Sequence, residues 1–499
     1  MNSVLKILFV VLISFAAENS VAQNILLDRE FWKSKPNIKT VKEKVNEGHN
    51  PSELNRFAFD ALSWALIEEA PMDVLKYLFE QEGNTANKLT HDGRTYIFWA
   101  AYRDNLKFMK YLLEEGARTD IIDEHGYTLL NFSATTGQTN PALYDFIIKN
   151  GANVKDEKNN DGANALLLLM AHLEGLEMVE YFTDKGLSVF DKDDNGSTAM
   201  HYAAKGGNLK MLGWCIDKGI MYKGTNKKGR SVMHFASQGR RGHTNDLEVF
   251  EFLETSGVSP SNADSEGVTP LMLYCNSGKD PNVVKWFLKN GASADETEKD
   301  GNTALMMASR SSSIEAIKPL LVKTRDINHQ NLKGQTALSN AVSSNNASVV
   351  QSLIEAGGSA ELQDKDGNNL LYYWLKSYNP KKKDEFNSKE KLLVAAGMEP
   401  SKAQANGSTI WHLAVEKNDA DLLSSLSKYE ADINAKNQDG MTALHIAAMK
   451  TGDVGFLEKL VSLGADPKLN TDFEETVLQL AQENELLNAN DNDLIFLRN

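Results

Sequence analysis

Asp439-Gly440-Met441-Thr442-Ala443-Leu444-His445-Ile446-Ala447-Ala448 is the stretch on which the reading of this chain turns. Asp-Gly tolerates positive φ at both central positions of a tight turn, so the chain reverses there. Thr442 follows where a hydroxyl caps the free amides of a helix start, and the apolar run 443–448 begins that helix. A second helix is expected over 454–463, where apolar residues fall three and four apart. Gly464, in Leu463-Gly464-Ala465-Asp466, ends it, because glycine enters the left-handed conformation without a Cβ penalty.

The same grammar recurs along the chain. Turn glycines stand at Gly93, Gly126, Gly162, Gly196, Gly229, Gly267, Gly301, Gly334, Gly367, Gly407 and Gly440, at intervals of 33, 36, 34, 33, 38, 34, 33, 33, 40 and 33. Seven of these eleven follow Asp or Asn, as tight turns require. A second, helix-ending glycine recurs at Gly116, Gly151, Gly186, Gly219, Gly257, Gly291, Gly357, Gly397 and Gly464. It continues backward to Gly83 and Gly48, so two degenerate repeats precede the clear ones. Beyond Gly440 a closing repeat carries Phe473 at the glycine place.

The residues 439–448 closely resemble the ankyrin signature, whose period is about 33 and whose core reads Thr-Pro-Leu-His-x-Ala. The stretches 195–204, 228–236 and 406–414 repeat it with growing substitution, and the resemblance runs from residue 28 to the C-terminus. Departures are visible: only Pro270 keeps the signature proline, and Asn368-Asn369-Leu370-Leu371 replaces Thr-Pro-Leu-His in its repeat. The resemblance implies an all-α solenoid of stacked helix pairs with short β-hairpin tips, about 13 repeats including degenerate end caps. One helix pair cannot bury its apolar stripe alone, so neighbours share a continuous core and the array reads as one elongated domain. Residues 23–90 are read as capping and degenerate repeats, 91–470 as the array, and 471–499 as a capping repeat and tail. The first repeat turns Lys39, Lys42, Glu43, Lys44 and Glu47 outward, as an end cap must.

Residues 1–22 read as a signal peptide. Lys6 precedes a short apolar run over 7–17, and Ser20-Val21-Ala22 offers small residues for cleavage before Gln23. A bilayer span needs about 20 apolar residues, and no run reaches that length. The mature protein is therefore expected to be exported, periplasmic or secreted, and the leader together with the scarcity of cysteine has a bacterial look. Cys215 and Cys275 fall at packing positions two repeats apart, about 20 Å at helix-packing distances, too far for a disulfide. A formal net charge of -15 over 499 residues disfavours non-specific binding to nucleic acid or anionic lipid.

No catalytic constellation is present. There is no His-Glu-x-x-His run, Cys-x-x-Cys pair, calcium loop, phosphate loop or nucleophile elbow. His201, His234, His412 and His445 each lie five residues after a turn glycine. That is the place of the ankyrin signature histidine, which the resemblance assigns to hydrogen bonds within and between turns. His91, His125 and His172 fall instead at variable surface positions. No cofactor is expected.

The resemblance also implies a partner-binding concave groove, lined by the tips and by the solvent side of each first helix. Five positions per repeat, at -2, -1, +1, +9 and +10 from the turn glycine, map that groove. Over eleven repeats they hold thirteen Lys or Arg against nine Asp or Glu, an excess of four cations on an acidic chain. The candidate contact residues are His91, Arg94, Tyr102, Arg103, His125 and Tyr127, continued by Lys205, Lys227, Lys228 and Arg230. Tyrosine and arginine are favoured at binding hot spots. Two insertions, 238–243 and 379–384, lengthen the repeats of Gly229 and Gly367 between their helices, as loops that could carry function. The expected function is an exported, non-catalytic, monomeric scaffold for an acidic or amphipathic protein partner. The alternative is an accessory factor for periplasmic stress-defence enzymes that handles a small ligand such as haem, on a loose resemblance to exported ankyrin-like proteins that accompany catalases. A Soret absorbance after haem supply separates the two.

Overall fold

Most first helices start on a side-chain cap where the sequence places a hydroxyl, an amide or, at Asp60, a carboxylate. Thr442 Oγ1 accepts the His445 N–H ahead of helix Ala443–Lys450. Thr303, Thr336 and Thr476 do the same for Ala304–Ser311, Ala337–Ser344 and Val477–Glu483. Pro270 sits at the first position of helix Pro270–Ser277, where its missing N–H costs nothing. In the computed structural model, which describes residues 24–278, 280–487 and 493–498, a first helix and an antiparallel second helix alternate throughout. The expected signal peptide, residues 1–22, lies outside the described residues.

The chain divides into two compact bodies, Met1–Leu169 with Glu177–Ser188, and Met170–Leu176 with Val189–Asn499. The division falls inside one repeat, where helix Ala165–Leu169 stops after five residues and a 3-10 turn, Met170–His172, follows. Within each body the first helices pack on one another through small residues such as Ala100, Ala134, Ala308 and Ala341. The second helices bury leucine and phenylalanine, among them Phe108, Phe250, Phe287 and Phe456. Cys215 and Cys275 are buried and unpaired, and burial pushes both thiols up to about 12, the inert state the spacing implies.

The tips differ from the expected β-hairpins. No β-strand occurs among the described residues; the tips hold only isolated antiparallel bridges, Thr90 with Arg94, Lys192 with Thr198 and Asn470 with Thr476. The reason is local. A side-chain oxygen three residues before the turn glycine takes the turn amides that a strand ladder would otherwise pair. Asp123 Oδ1 accepts from His125 and Tyr127, Asp264 Oδ1 from Glu266 and Val268, and Asn437 Oδ1 from Asp439 and Met441. The remaining tip amides bond across repeats: Glu124 N–H to Asp92 O, Ser265 to Lys228, Leu332 to Asp300 and Gln438 to Asn406. Tips consequently approach closely. A Cβ on Gly334 would stand 2.7 Å from Lys365 N, and its φ of +75° is a glycine conformation.

Two turn positions have no glycine at all. Ala58, at φ 59°, closes the first such turn, with Asn55 Oδ1 accepting from Phe57 and Phe59. In the closing repeat the left-handed residue is Glu474, at φ 65°, not Phe473. The insertion after Asn379 is not a loop either. It forms a 3-10 turn, Pro380–Lys382, and extends the second helix to Lys383–Ala395.

Candidate partner-binding surface

In the N-terminal body three consecutive tips meet around Asp92. Its Oδ2 accepts from Arg94 Nη1 at 2.9 Å and faces His125 Nε2 at 3.3 Å and His91 Nε2 at 3.4 Å. Arg94 Nε reaches on to Asp123 Oδ2 of the next repeat at 2.8 Å. The guanidinium lies over the rings of Phe132 and Trp99, and Arg94 is only 8% exposed. His91 Nδ1 donates to the Phe57 carbonyl, and its ring lies 4.3 Å from Phe59, which stacks on Trp64. Arg94 is therefore a nearly buried strut that ties two tips through Asp92 and Asp123. His125 is the exposed member of this cluster, and Tyr127 is half-buried.

Tyr102 and Arg103 stand apart from those tips, at the far end of helix Tyr96–Tyr102, about 10 Å along its axis. Tyr102 leans on Trp99 and Phe132; Arg103 covers the Tyr102 ring and donates from Nε to Ile67 O at 2.6 Å. Beside them a cleft of about 410 Å³ is lined by Glu69, Ala70 and 103–107. The sequence map thus merges two separate places, tip and helix end.

The C-terminal body repeats the arrangement. Arg230 Nε donates to Asp264 Oδ2 at 2.9 Å, the counterpart of Arg94 to Asp123. Burial works against the Asp264 carboxylate, but the Arg230 bond and the Val268 and Glu266 amides hold it below the usual carboxylate range. Lys227 and Lys228 flank this strut, both exposed, on a turn fixed by Asn226 Oδ1. Lys227 Nζ rests on Asp194 O, and Lys205, at the helix end, lies over Tyr202 and Phe235. The carboxylates that hold both arginines went unread in the sequence, although an Asp or Asn three residues before the turn glycine recurs often enough to have signalled them.

The histidines five residues after the glycine are structural in the way the resemblance implies. His445 Nδ1 accepts the Thr442 N–H and faces its hydroxyl, and Nε2–H donates to Leu469 O at 2.8 Å. His234 and His412 reach Val268 O and Met441 O in the following repeat. Only the neutral ring satisfies this pattern. Burial depresses all three, and brings His201 down to about 4. A histidine depressed in the fold binds fewer protons folded than unfolded, so its stabilisation is complete above an unfolded value of about 6.5 and is lost as pH falls toward the folded value. His201 alone is expected to withdraw roughly 3 kcal/mol between pH 6.5 and 4. Urea midpoints from pH 8 to pH 4 should fall across that window, and less so in His201→Gln; a flat profile refutes the assignment. Among the described residues no group of three His, Cys, Asp or Glu could hold a metal ion, and no helix is long and apolar enough to cross a membrane.

Comparison with known proteins agrees with this geometry. The family model of ankyrin repeats in three copies matches residues 34–123, 62–158, 167–253, 233–331 and 387–471, and a model of many copies matches 320–373. These segments cover well over half of the sequence; the chain belongs to the ankyrin-repeat family. Ankyrin repeats are generally protein-interaction scaffolds. The chain is similar to the chicken nuclear factor NF-kappa-B p105 subunit, 30% identical over 33% of this chain and 21% of that protein. It is 35% identical to the phosphocholine transferase AnkX of Legionella pneumophila over 21% of this chain and 11% of that one. Human neurogenic locus notch homolog protein 1 is 30% identical over 43% of this chain and 7% of its own length. The chain thus spans about a fifth or less of these relatives.

Proposed function

We propose that this chain is an exported bacterial scaffold that acts as a monomer, without catalysis, and holds an acidic protein partner against its tips and first-helix ends. Residues 1–22 serve as the leader, 23–90 and 471–499 cap the array, and 91–470 carry the contact surface. The observation that carries the reading is the exposed pair Lys227 and Lys228 on a turn stiffened by Asn226 and by the Arg230–Asp264 bond. A cationic pair held in place loses little freedom on binding. Tyr102, Arg103, His125 and Tyr127 supply aromatic and polar contact in the N-terminal body, while Arg94 and Arg230 keep their tips in shape.

A crosslinked pull-down from the exported fraction, read by mass spectrometry, tests both partner and compartment, since the recovered protein should begin at Gln23. With that partner in hand, changing Tyr102 and Arg103 to Ala is expected to raise the dissociation rate roughly tenfold. Reversing Lys227 and Lys228 to Glu should slow association about tenfold and flatten its dependence on salt. Parental kinetics in both double variants would remove the tips and the first-helix ends from the contact.

A further inference from the structure

The joins between first and second helices, at the opposite end of the first helices from the tips, carry charge that neither the fold nor the proposed tip surface uses. In the C-terminal body the joins between paired helices hold six Lys or Arg against five Asp or Glu, and four of the six cations stand on two of them, 239–246 and 377–382, which together hold a single Asp. The two insertions concentrate it. At 239–243 the chain makes a small finger in which Arg240 N–H donates to His243 O at 3.2 Å and His243 N–H to Arg240 O at 2.9 Å. Gly242 turns it at φ 74°. Gly239 roots it at φ 63°, where a Cβ would stand 2.4 Å from His243 O. The buried Asn245 pins its base, donating to Ala204 O and Ala236 O on two neighbouring first helices.

The second insertion is built as firmly. Asn379 Oδ1 accepts from Lys381 N–H at 2.9 Å, Phe386 stacks on Trp374 at 4.3 Å, and Lys383 pairs with Asp421. What these scaffolds present is Arg240, Arg241, Lys381 and Lys382, all exposed and with no side-chain ion pair or hydrogen bond among the described residues. Arg310 and Lys376, exposed at the ends of helices Ala304–Ser311 and Leu370–Lys376, are explained by the helix dipole. The four on the insertions lie outside first-helix ends and have no such explanation.

We propose that this edge is a second contact surface, where the Arg240–Arg241 finger and the Lys381–Lys382 turn grip the carboxylates of an extended acidic polypeptide. The guanidinium fork suits bidentate carboxylate pairing. The repeats of Gly229 and Gly367 are four apart, about 40 Å at roughly 10 Å per repeat, a span of about 12 extended residues. An acidic polypeptide can place its carboxylates at two such clusters. A polypeptide is the occupant the fold favours, since ankyrin repeats are generally protein-interaction scaffolds; the net charge of -15 opposes any polyanion between the clusters, so the two grips themselves must hold it.

The test is fluorescence anisotropy of a labelled 20-residue polyglutamate with the full chain at about 50 mM salt, with a 20-nucleotide oligothymidylate as the second probe. Polyglutamate should bind and the oligothymidylate should bind more weakly. R240Q/R241Q and K381Q/K382Q should each weaken polyglutamate about tenfold, and together about a hundredfold, because the two grips are linked. K285Q/K289Q, which removes the same charge from the exposed face of helix Pro281–Lys289, should leave it unchanged. Circular dichroism checks that every variant keeps its helices. No polyglutamate binding by the parent, tighter binding of the oligothymidylate, or parental affinity in both insertion variants overturns the proposal. Loss only in K227E/K228E also overturns it, and leaves the tip reading standing.

Discussion

Replacing Asp60 with alanine is expected to cost about 3–5 kcal/mol, the largest effect of any single change in the N-terminal body. Asp60 is completely buried and is bonded on all sides. Its Oδ1 caps helix Ala61–Ile67 by accepting from Ser63 N–H at 2.8 Å and Ser63 Oγ at 2.7 Å. Its Oδ2 accepts from Lys88 Nζ at 2.8 Å and from Tyr96 Oη at 2.6 Å. Lys88 and Tyr96 meet again at Asn84 Oδ1, so four side chains, from Asp60 in one repeat to Tyr96 in the next, close one network. Burial and then the neighbouring carboxylate raise the Tyr96 phenol far above its ordinary range. Alanine leaves the Lys88 ammonium without its carboxylate, with only the neutral oxygens of Asn84 and Ser52 to accept from it and from Tyr96, which costs more than the pair contributes. Because repeat arrays open locally, the reading should come from hydrogen exchange of 61–67 and 96–102. Protection in those helices should collapse in Asp60→Ala and recover in part when Lys88→Met is added. Unchanged protection in the single variant would refute the network's role.

Arg94→Ala should lower stability by about 3 kcal/mol, and for the same reason. The Asp123 carboxylate has no exposed side-chain surface, and removing Arg94 Nε leaves its Oδ2 without that charge partner while Asp92 loses Nη1. The planes of Phe132 and Trp99 lose their cation as well. Lysine should rescue little, since one ammonium cannot span both carboxylates as the fork does. Arg230→Ala should cost less, its side chain being 29% exposed. Thermal midpoints of the three variants decide this: a parental midpoint in Arg94→Ala would return that residue to the contact surface. If the midpoint falls, any loss of partner binding in Arg94→Ala is a loss of the tip, and the contact belongs to its exposed neighbours.

Much of this architecture is local chemistry, and local chemistry is legible. Asp439-Gly440 turns, Thr442 caps with the His445 ring closing the cap, and Gly464 ends the second helix; each acts within a few residues. The repeat frame, the structural histidines and the inert cysteines follow from such spacing. Ala58 and Glu474 escaped because a left-handed backbone was sought through glycine, whereas here bonds to Asn55 and Thr471 hold the turn.

Roles that cross repeats were decided only by the tertiary structure. Arg94 and Arg103 are both arginines at mapped positions, yet one is sealed between Asp92 and Asp123 and the other lies along a cleft. Asp92 is a near neighbour of Arg94, but the contacts that seal one and free the other, Asp123 and the Ile67 carbonyl, lie 29 and 36 residues away and leave no local mark. The Asp60–Lys88–Tyr96 network has the same origin, three side chains that meet only when helices stack. A turn or a cap is set by neighbours along the chain, and so the sequence alone determined this protein's repeat; an ion pair between repeats depends on which side chains the stacking brings within about 3 Å, and that only the folded structure decided.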